Sequence, residues 1–126
     1  MRKTILAGAL GTLLTTGAAA ESMERSLAKL TPEFRSHQVC ILRGLEAVRR
    51  EAALRKADRM KTSIFSQAVL AGTKLTAKGG AVRYGNHWRA LSFTCDLTAD
   101  LMKATSFTYV LGRDIPQGEW EDLGLW

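Results

Sequence analysis

The sequence predicts an α+β domain: an antiparallel meander of about four strands, covered by one long amphipathic helix and clasped by a single disulfide. Three observations carry this. Apolar residues recur at three- and four-residue spacing downstream of Pro32. From Ala81 onward the apolar residues alternate one by one, as in strands with one buried face. The two cysteines, Cys40 and Cys95, fall one in the helical segment and one in an alternating segment.

The first twenty residues read as a cleavable export signal, not as part of the domain. Arg2 and Lys3 form a positive start, and Ile5, Leu6, Leu10, Leu13 and Leu14 belong to a short apolar run. Ala18-Ala19-Ala20 is a small-residue cleavage site ahead of Glu21. A membrane-spanning helix needs about 20 apolar residues, and this run is interrupted by Gly8, Gly11 and Thr12. No transmembrane segment is therefore expected once the signal is removed. The expected division is a signal over 1–20, a short lead segment over 21–35 and the α+β domain over 36–126. Without residues 1–20 the chain keeps 16 Lys and Arg against 12 Asp and Glu, a net of +4 in place of +6. That excess permits attraction to anionic surfaces and requires none.

Within the lead segment, Met23, Leu27 and Leu30 suit one stripe of a short helix. Thr31-Pro32 is a helix start, with Thr31 at the N-cap and Pro32 in the first position. The main helix is expected from Ser36 to about Asp58. Val39, Leu42 and Leu45, or Ile41, Leu45, Val48 and Ala52, would form its buried stripe, with Gly44 tolerated. Its other face would be basic, carrying Arg43, Arg49, Arg50, Arg55, Lys56, Arg59 and Lys61. Glu46–Arg50 and Glu51–Arg55 would be favourable i,i+4 pairs. The pattern then changes to strands: an apolar segment over Ile64–Leu70, a hairpin of Ala81–Tyr84 and His87–Leu97 around Gly85-Asn86, and Thr105–Leu111. Gly-Asn between two strands suits a II′ turn, with glycine first. Leu91, Phe93, Cys95 and Leu97 would share the buried face, with Phe107, Tyr109 and Leu111 likewise alternating on the last strand. Trp120 is expected to pack back onto the domain.

An even pair of cysteines far apart in an exported chain reads most simply as a disulfide, here joining helix to sheet. The alternative is a metal site of His37, Cys40 and Cys95, which lacks a fourth ligand. No cofactor motif is present: Gly79-Gly80 is not followed by the Lys-Ser/Thr and helix of a phosphate-binding loop. A Ser92–His87–Asp96 triad can be drawn, but geometry decides such triads, not inventory. In the hairpin register Arg83 lies opposite Trp88 on the face away from Cys95, positioned for a cation–π contact.

Several ordered segments resemble one family. They are Cys40 with Leu45-Glu46-Ala47, Ala57-Asp58-Arg59-Met60, Gly79-Gly80-Ala81-Val82-Arg83, His87-Trp88, Phe93-Thr94-Cys95, Met102-Lys103, Phe107 and Ile115-Pro116-Gln117-Gly118-Glu119-Trp120. Together, over residues 37–125, they resemble the exported proteins grouped as domain-of-unknown-function family 930, found mainly in alphaproteobacteria. Gly80 departs from that pattern, where an Ala-like residue is expected. The resemblance implies export and a disulfide, and it brings no activity with it.

The expected function is that of a periplasmic or secreted binding or interaction module that is not an enzyme. A first alternative is a binder of anionic polymer or envelope surface through Arg43, Arg49, Arg50, Arg55, Lys56 and Arg59. A second is a small envelope hydrolase using His87 with Asp96 or Asp100. Arg83 and Trp88 are further candidate binding residues. The expected partner is an envelope component or a protein, and nucleic acid is not expected.

Overall fold

The computed structural model describes residues 21–126; the signal segment expected over 1–20 lies outside the described residues. A helical stretch over 21–28 (α1) leads into the main helix α2, Pro32–Val48. A 3-10 turn, Ala52–Leu54, brings the chain to five strands: β1 Ala57–Lys61, β2 Val69–Ala71, β3 Lys74–Tyr84, β4 His87–Leu97 and β5 Ala104–Asp114. A short helix α3, Trp120–Leu123, follows. All pairings are antiparallel in the order β1-β3-β4-β5, and β2 shares with β1 the same side of the long strand β3. The expected α+β class, meander and helical cover are all present.

Helix α2 starts as its sequence dictates. Thr31 is the N-cap with extended backbone, although its side chain makes no capping bond, and Pro32 follows in the first turn. The helix stops ten residues before the expected end at Asp58. Arg49 caps it, Glu51 takes extended backbone, and Ala57 and Asp58 belong to β1. The alanines at 52 and 53 favour helix, but the upper half of β3 needs a partner strand, and that pairing overrides local propensity. Ile64–Leu70 is likewise shorter as a strand than expected. Only Val69–Ala71 pairs, because residues 62–68 leave the sheet to pack over Gly79, whose carbonyl accepts from the amides of Ile64 and Phe65.

The buried stripe of α2 also differs from the expected one. It is Ser36, Cys40, Gly44 and Val48, one small or medium residue every four, with Val39 beside it. Small residues let the helix sit close on the sheet. A Cβ on Gly44 would lie 2.7 Å from Phe107 Cζ. The larger apolar residues are consequently left at the flanks: Ile41 and Leu45 are half-buried, while Leu42 and Phe34 are exposed.

Opposite α2, the inner face of the sheet presents Leu75, Ala77, Val82, Leu91, Phe93 and Cys95 as a single core, closed at one end by Leu54. Cys40 and Cys95 are bonded across that core with Cα atoms 6.1 Å apart and a separation of 55 positions in sequence. The bridge excludes the metal alternative, since each sulfur is committed to the other. Closing such a loop stabilises by about 4 kcal/mol through the lost entropy of the unfolded chain.

The hairpin register is the expected one: Tyr84↔His87, Arg83↔Trp88 and Val82↔Arg89. Gly85 has φ of 59° and Asn86 is not among the positive-φ residues, the pattern of a II′ turn. The outer face is not simply solvated. Trp88 is fully buried there with Ala81, Ile115 and Leu125, and Trp120 and Leu123 pack against them, so Trp120 does fold back. Gly80 has a structural reason to lack a side chain. It sits at the irregularity in β3, and a Cβ there would lie 2.7 Å from the Lys61 carbonyl oxygen.

Candidate functional site

A groove of about 660 Å³ lies between α2 and β1. Its helix wall carries Phe34, His37, Gln38, Ile41 and Leu45, the large residues that the small-residue stripe leaves at the flank. Its other wall is the stretch Asp58–Thr62, whose far side pairs with β3 and whose groove side pairs with no strand. His37 Nδ1 and the Thr62 hydroxyl share a 2.7 Å hydrogen bond between the walls. At the start of β1 the Arg49 side chain donates from Nε to the Ala57 carbonyl at 2.6 Å. The groove thus sets an apolar patch of Phe34, Ile41 and Leu45, flanked by polar Glu33, His37 and Gln38, against residues 58–62 of the strand wall.

Electrostatics divide the strand wall. Asp58 receives a two-pronged bond from Arg83, at 3.0 and 2.6 Å. That hydrogen bond holds the Asp58 carboxyl below the usual carboxylate range, outweighing burial, which raises it, with further help from the Arg83 and Arg59 charges. Arg59 and Lys61 have no carboxylate partner among the described residues. Both lie instead against the ring of Trp126, at 4.5 and 4.4 Å from its centre, and Arg59 Nε is buried with no hydrogen bond.

The expected continuous basic helix face does not form, because the helix ends at Val48. Arg43 stays on α2, while Arg49, Arg50, Arg55 and Lys56 gather in the turn between α2 and β1, and Arg59 lies on the strand. The expected Glu46–Arg50 and Glu51–Arg55 pairs are absent for the same reason, the i,i+4 spacing being lost. Glu51 instead accepts a 2.6 Å bond from the Tyr109 hydroxyl. Burial first, and this carboxylate second, push the Tyr109 pKa up to about 12.

Arg83 and Trp88 face each other as expected, but not as a cation–π pair. Arg83 turns to Asp58, and the two side chains converge on one acceptor, the main-chain oxygen of Trp126, at 2.8 and 3.1 Å. The pair anchors the last turn of the chain over the outer face. The expected open platform is not available, since Trp88 is fully buried.

The drawn triad does not assemble. His87, Ser92 and Asp96 lie on one strand, so at about 3.4 Å per residue His87 is roughly 17 Å from Ser92 and roughly 30 Å from Asp96. His87 stacks on Tyr84 with ring centres 5.4 Å apart and lies 4.0 Å from Asp114. Asp96 accepts from the Ser106 hydroxyl at 2.6 Å and pairs with Lys74 at 3.6 Å. Asp100 closes the turn after β4, accepting from the Thr98 hydroxyl and the Met102 amide. Those hydrogen bonds hold both carboxyls below their ordinary range.

Sequence reasoning missed the groove. The signal was present as an excess of large apolar residues, Phe34, Ile41 and Leu45, around a stripe that needed only small ones. No helix of the described residues is long and apolar enough to cross a membrane. No curated protein matches the chain. No solved structure matches it either. A family model described as Domain of Unknown Function (DUF930) matches residues 27–125, from the end of α1 to the last turn, and the chain belongs to that family.

Proposed function

We propose that this chain is an exported envelope domain that acts by binding, and that the groove between α2 and β1 is where it binds. The groove carries the reading: a concavity of about 660 Å³ that joins an apolar helix flank to an unpaired strand edge. Clefts of this size that combine apolar walls with a few fixed polar groups are the usual form of binding sites. Export is supported by the signal pattern of residues 1–20 and by the Cys40–Cys95 bridge, which suits an oxidising compartment.

Two measurements test this. The intact mass of the protein recovered from the periplasm is expected to begin at Glu21; a soluble cytoplasmic chain retaining residues 1–20 overturns export. A photo-crosslinking amino acid placed in living cells at Gln38 on α2 or at Gln67 in the segment after β1, both of which line the groove, is expected to give adducts. The same group at Val110, on the far face of the sheet, is expected to give none. Adducts from Val110 alone, or from no position, overturn the assignment of the groove.

A second reading is favoured by one specific observation. Arg50, Arg55 and Lys56 crowd one exposed turn with no ion pair among the described residues, and the nearby Glu51 is held by Tyr109. This supports attraction to an anionic polymer or surface, with Arg43, Arg49 and Arg59 flanking the cluster. Reversing Arg50, Arg55 and Lys56 to Glu is expected to abolish retention on anionic vesicles. Raising salt from 0.1 to 1 M is expected to do the same, as the screening length falls from about 10 to about 3 Å. Absence of retention at low salt removes this reading.

A further inference from the structure

We infer that the occupant of the groove is an extended peptide of alternating apolar and acidic residues, which adds to the sheet as a strand beside β1. The inference rests on the groove reading above and deepens it.

The edge of β1 sets the geometry. β1 pairs with β3 on one side only, and its other side opens on the groove over residues 58–61. An unpaired strand edge is a template for another strand, and proteins usually blunt one that they do not use. Here the edge is short, carries a bulge between Ala57 and Arg59, and is tied at its two ends, by Arg49 on the Ala57 carbonyl and by His37 on the Thr62 hydroxyl, so the segment left for a partner is Arg59–Lys61. Main-chain hydrogen bonds from such an edge give affinity, and the side chains on the two faces choose the sequence.

Those two faces differ in kind. Successive residues of an added strand point alternately toward α2 and away from it. Toward α2 they meet the flank of buried Met60, together with Ile41 and Leu45. Away from α2 they lie beside Arg59 and Lys61, which form no salt bridge with a carboxylate of the described residues; Asp58 acts on Arg59 only through space. Asp58, the acidic residue of the edge, is already engaged by Arg83. One face therefore selects apolar side chains and the other selects carboxylates. The same charges argue against a second copy of this chain. Pairing β1 to β1 would set Arg59 and Lys61 of both copies on one face, and like charges across strands repel.

The test uses the purified chain with its disulfide formed and a fluorescein-labelled heptapeptide of alternating Val and Glu. A Val–Lys peptide of equal length is the control. The Val–Glu peptide is expected to bind at least about tenfold more tightly at low salt, and the variant carrying Arg59→Glu and Lys61→Glu to reverse that order. Should the reversal fail to fold, Arg59→Gln with Lys61→Gln keeps much of each stem and is expected to erase the preference. Strand addition makes a further demand, because only alternate peptide amides face β1. Of two peptides N-methylated at odd or at even positions, one is expected to lose at least about tenfold in affinity and the other to bind like its parent. Equal binding of the Val–Glu and Val–Lys peptides, equal effects of the two methylation patterns, or no binding of either peptide overturns the inference. So does a dimer whose β1 amides are protected from exchange in the absence of peptide, which makes a second copy the occupant. Groove adducts in cells without peptide binding sink strand addition alone, whereas absence of both sinks the groove reading with it.

Discussion

Replacing Gly44 with Ala sets two effects of known size against each other. Glycine inside a helix costs about 1 kcal/mol relative to alanine, so on propensity alone the change stabilises α2. The structure opposes this. The new methyl would lie 2.7 Å from Phe107 Cζ, 2.9 Å from Phe107 Cε2 and 2.8 Å from Met60 Sδ, all nearer than carbon atoms tolerate. Neither neighbour yields freely: the Phe107 ring is stacked on Phe93 with centres 4.7 Å apart, and Met60 is buried in the core. Overpacking of this kind costs about 1–3 kcal/mol, so the net expectation is a loss of up to about 2 kcal/mol. Thermal unfolding of the oxidised protein, followed by far-UV circular dichroism, should show a midpoint lower by about 4 °C for each kcal/mol lost. Phe107→Leu trims the opposing ring, and in a double-mutant cycle it should make the Gly44→Ala step less costly. A midpoint that rises with Gly44→Ala alone would refute the reasoning, because it would mean that α2 can lift from the sheet at no cost.

Three further outcomes are expected. Cys40→Ala should cost about 2–5 kcal/mol in denaturant unfolding, the usual loss for a small disulfide-bonded domain, and free thiol should be undetectable in the native wild type. Asp58, Asp96 and Asp100 all have lowered pKa values, so they contribute stability that is present above about pH 4 and is lost as pH falls through their folded values; Asp58→Asn should make that acid limb shallower. Tyr109 is raised, so its contribution is complete below about pH 10 and fades as pH rises toward 12; absorbance of the phenolate should show a late-titrating component that Tyr109→Phe removes.

The hairpin was fully legible in the sequence, since Gly85-Asn86 fixes a two-residue turn and the turn fixes every pair up to Val82↔Arg89. The disulfide was legible for a different reason: an even pair of distant cysteines in a chain read as exported favours a bridge, and strand alternation put Cys95 on the inner face. The end of α2 was not legible. Residues 49–56 have good helical propensity and suitable charge spacing, and only the unpaired upper half of β3, a partner distant in sequence, draws Ala57 into a strand. The basic face failed with the helix that was to carry it. The Arg83–Trp88 pair was placed correctly and assigned the wrong contact, because Asp58 and the Trp126 main-chain oxygen arrive from elsewhere in the chain.

The misreading of the buried stripe leads to the groove. Hydrophobic periodicity ranks residues by the size of their apolar surface, and it selected Ile41, Leu42 and Leu45. Closeness of approach ranks them the other way. A helix bridged to a sheet through Cys40 and seated with Gly44 against Phe107 has room beneath it for small residues only. The large ones must then stand at the side of the contact: α2 leaves Ile41 and Leu45 beside the open edge of β1, and Leu42 on the side of α1. The Leu45 flank is a consequence of that packing, and the unpaired edge of β1 follows separately from its place at the end of the sheet. A sequence that needed only a stable α+β domain could bury Leu45 and cover that edge. This one leaves both open to a single groove, and that conjunction is the physical ground for placing a partner strand there.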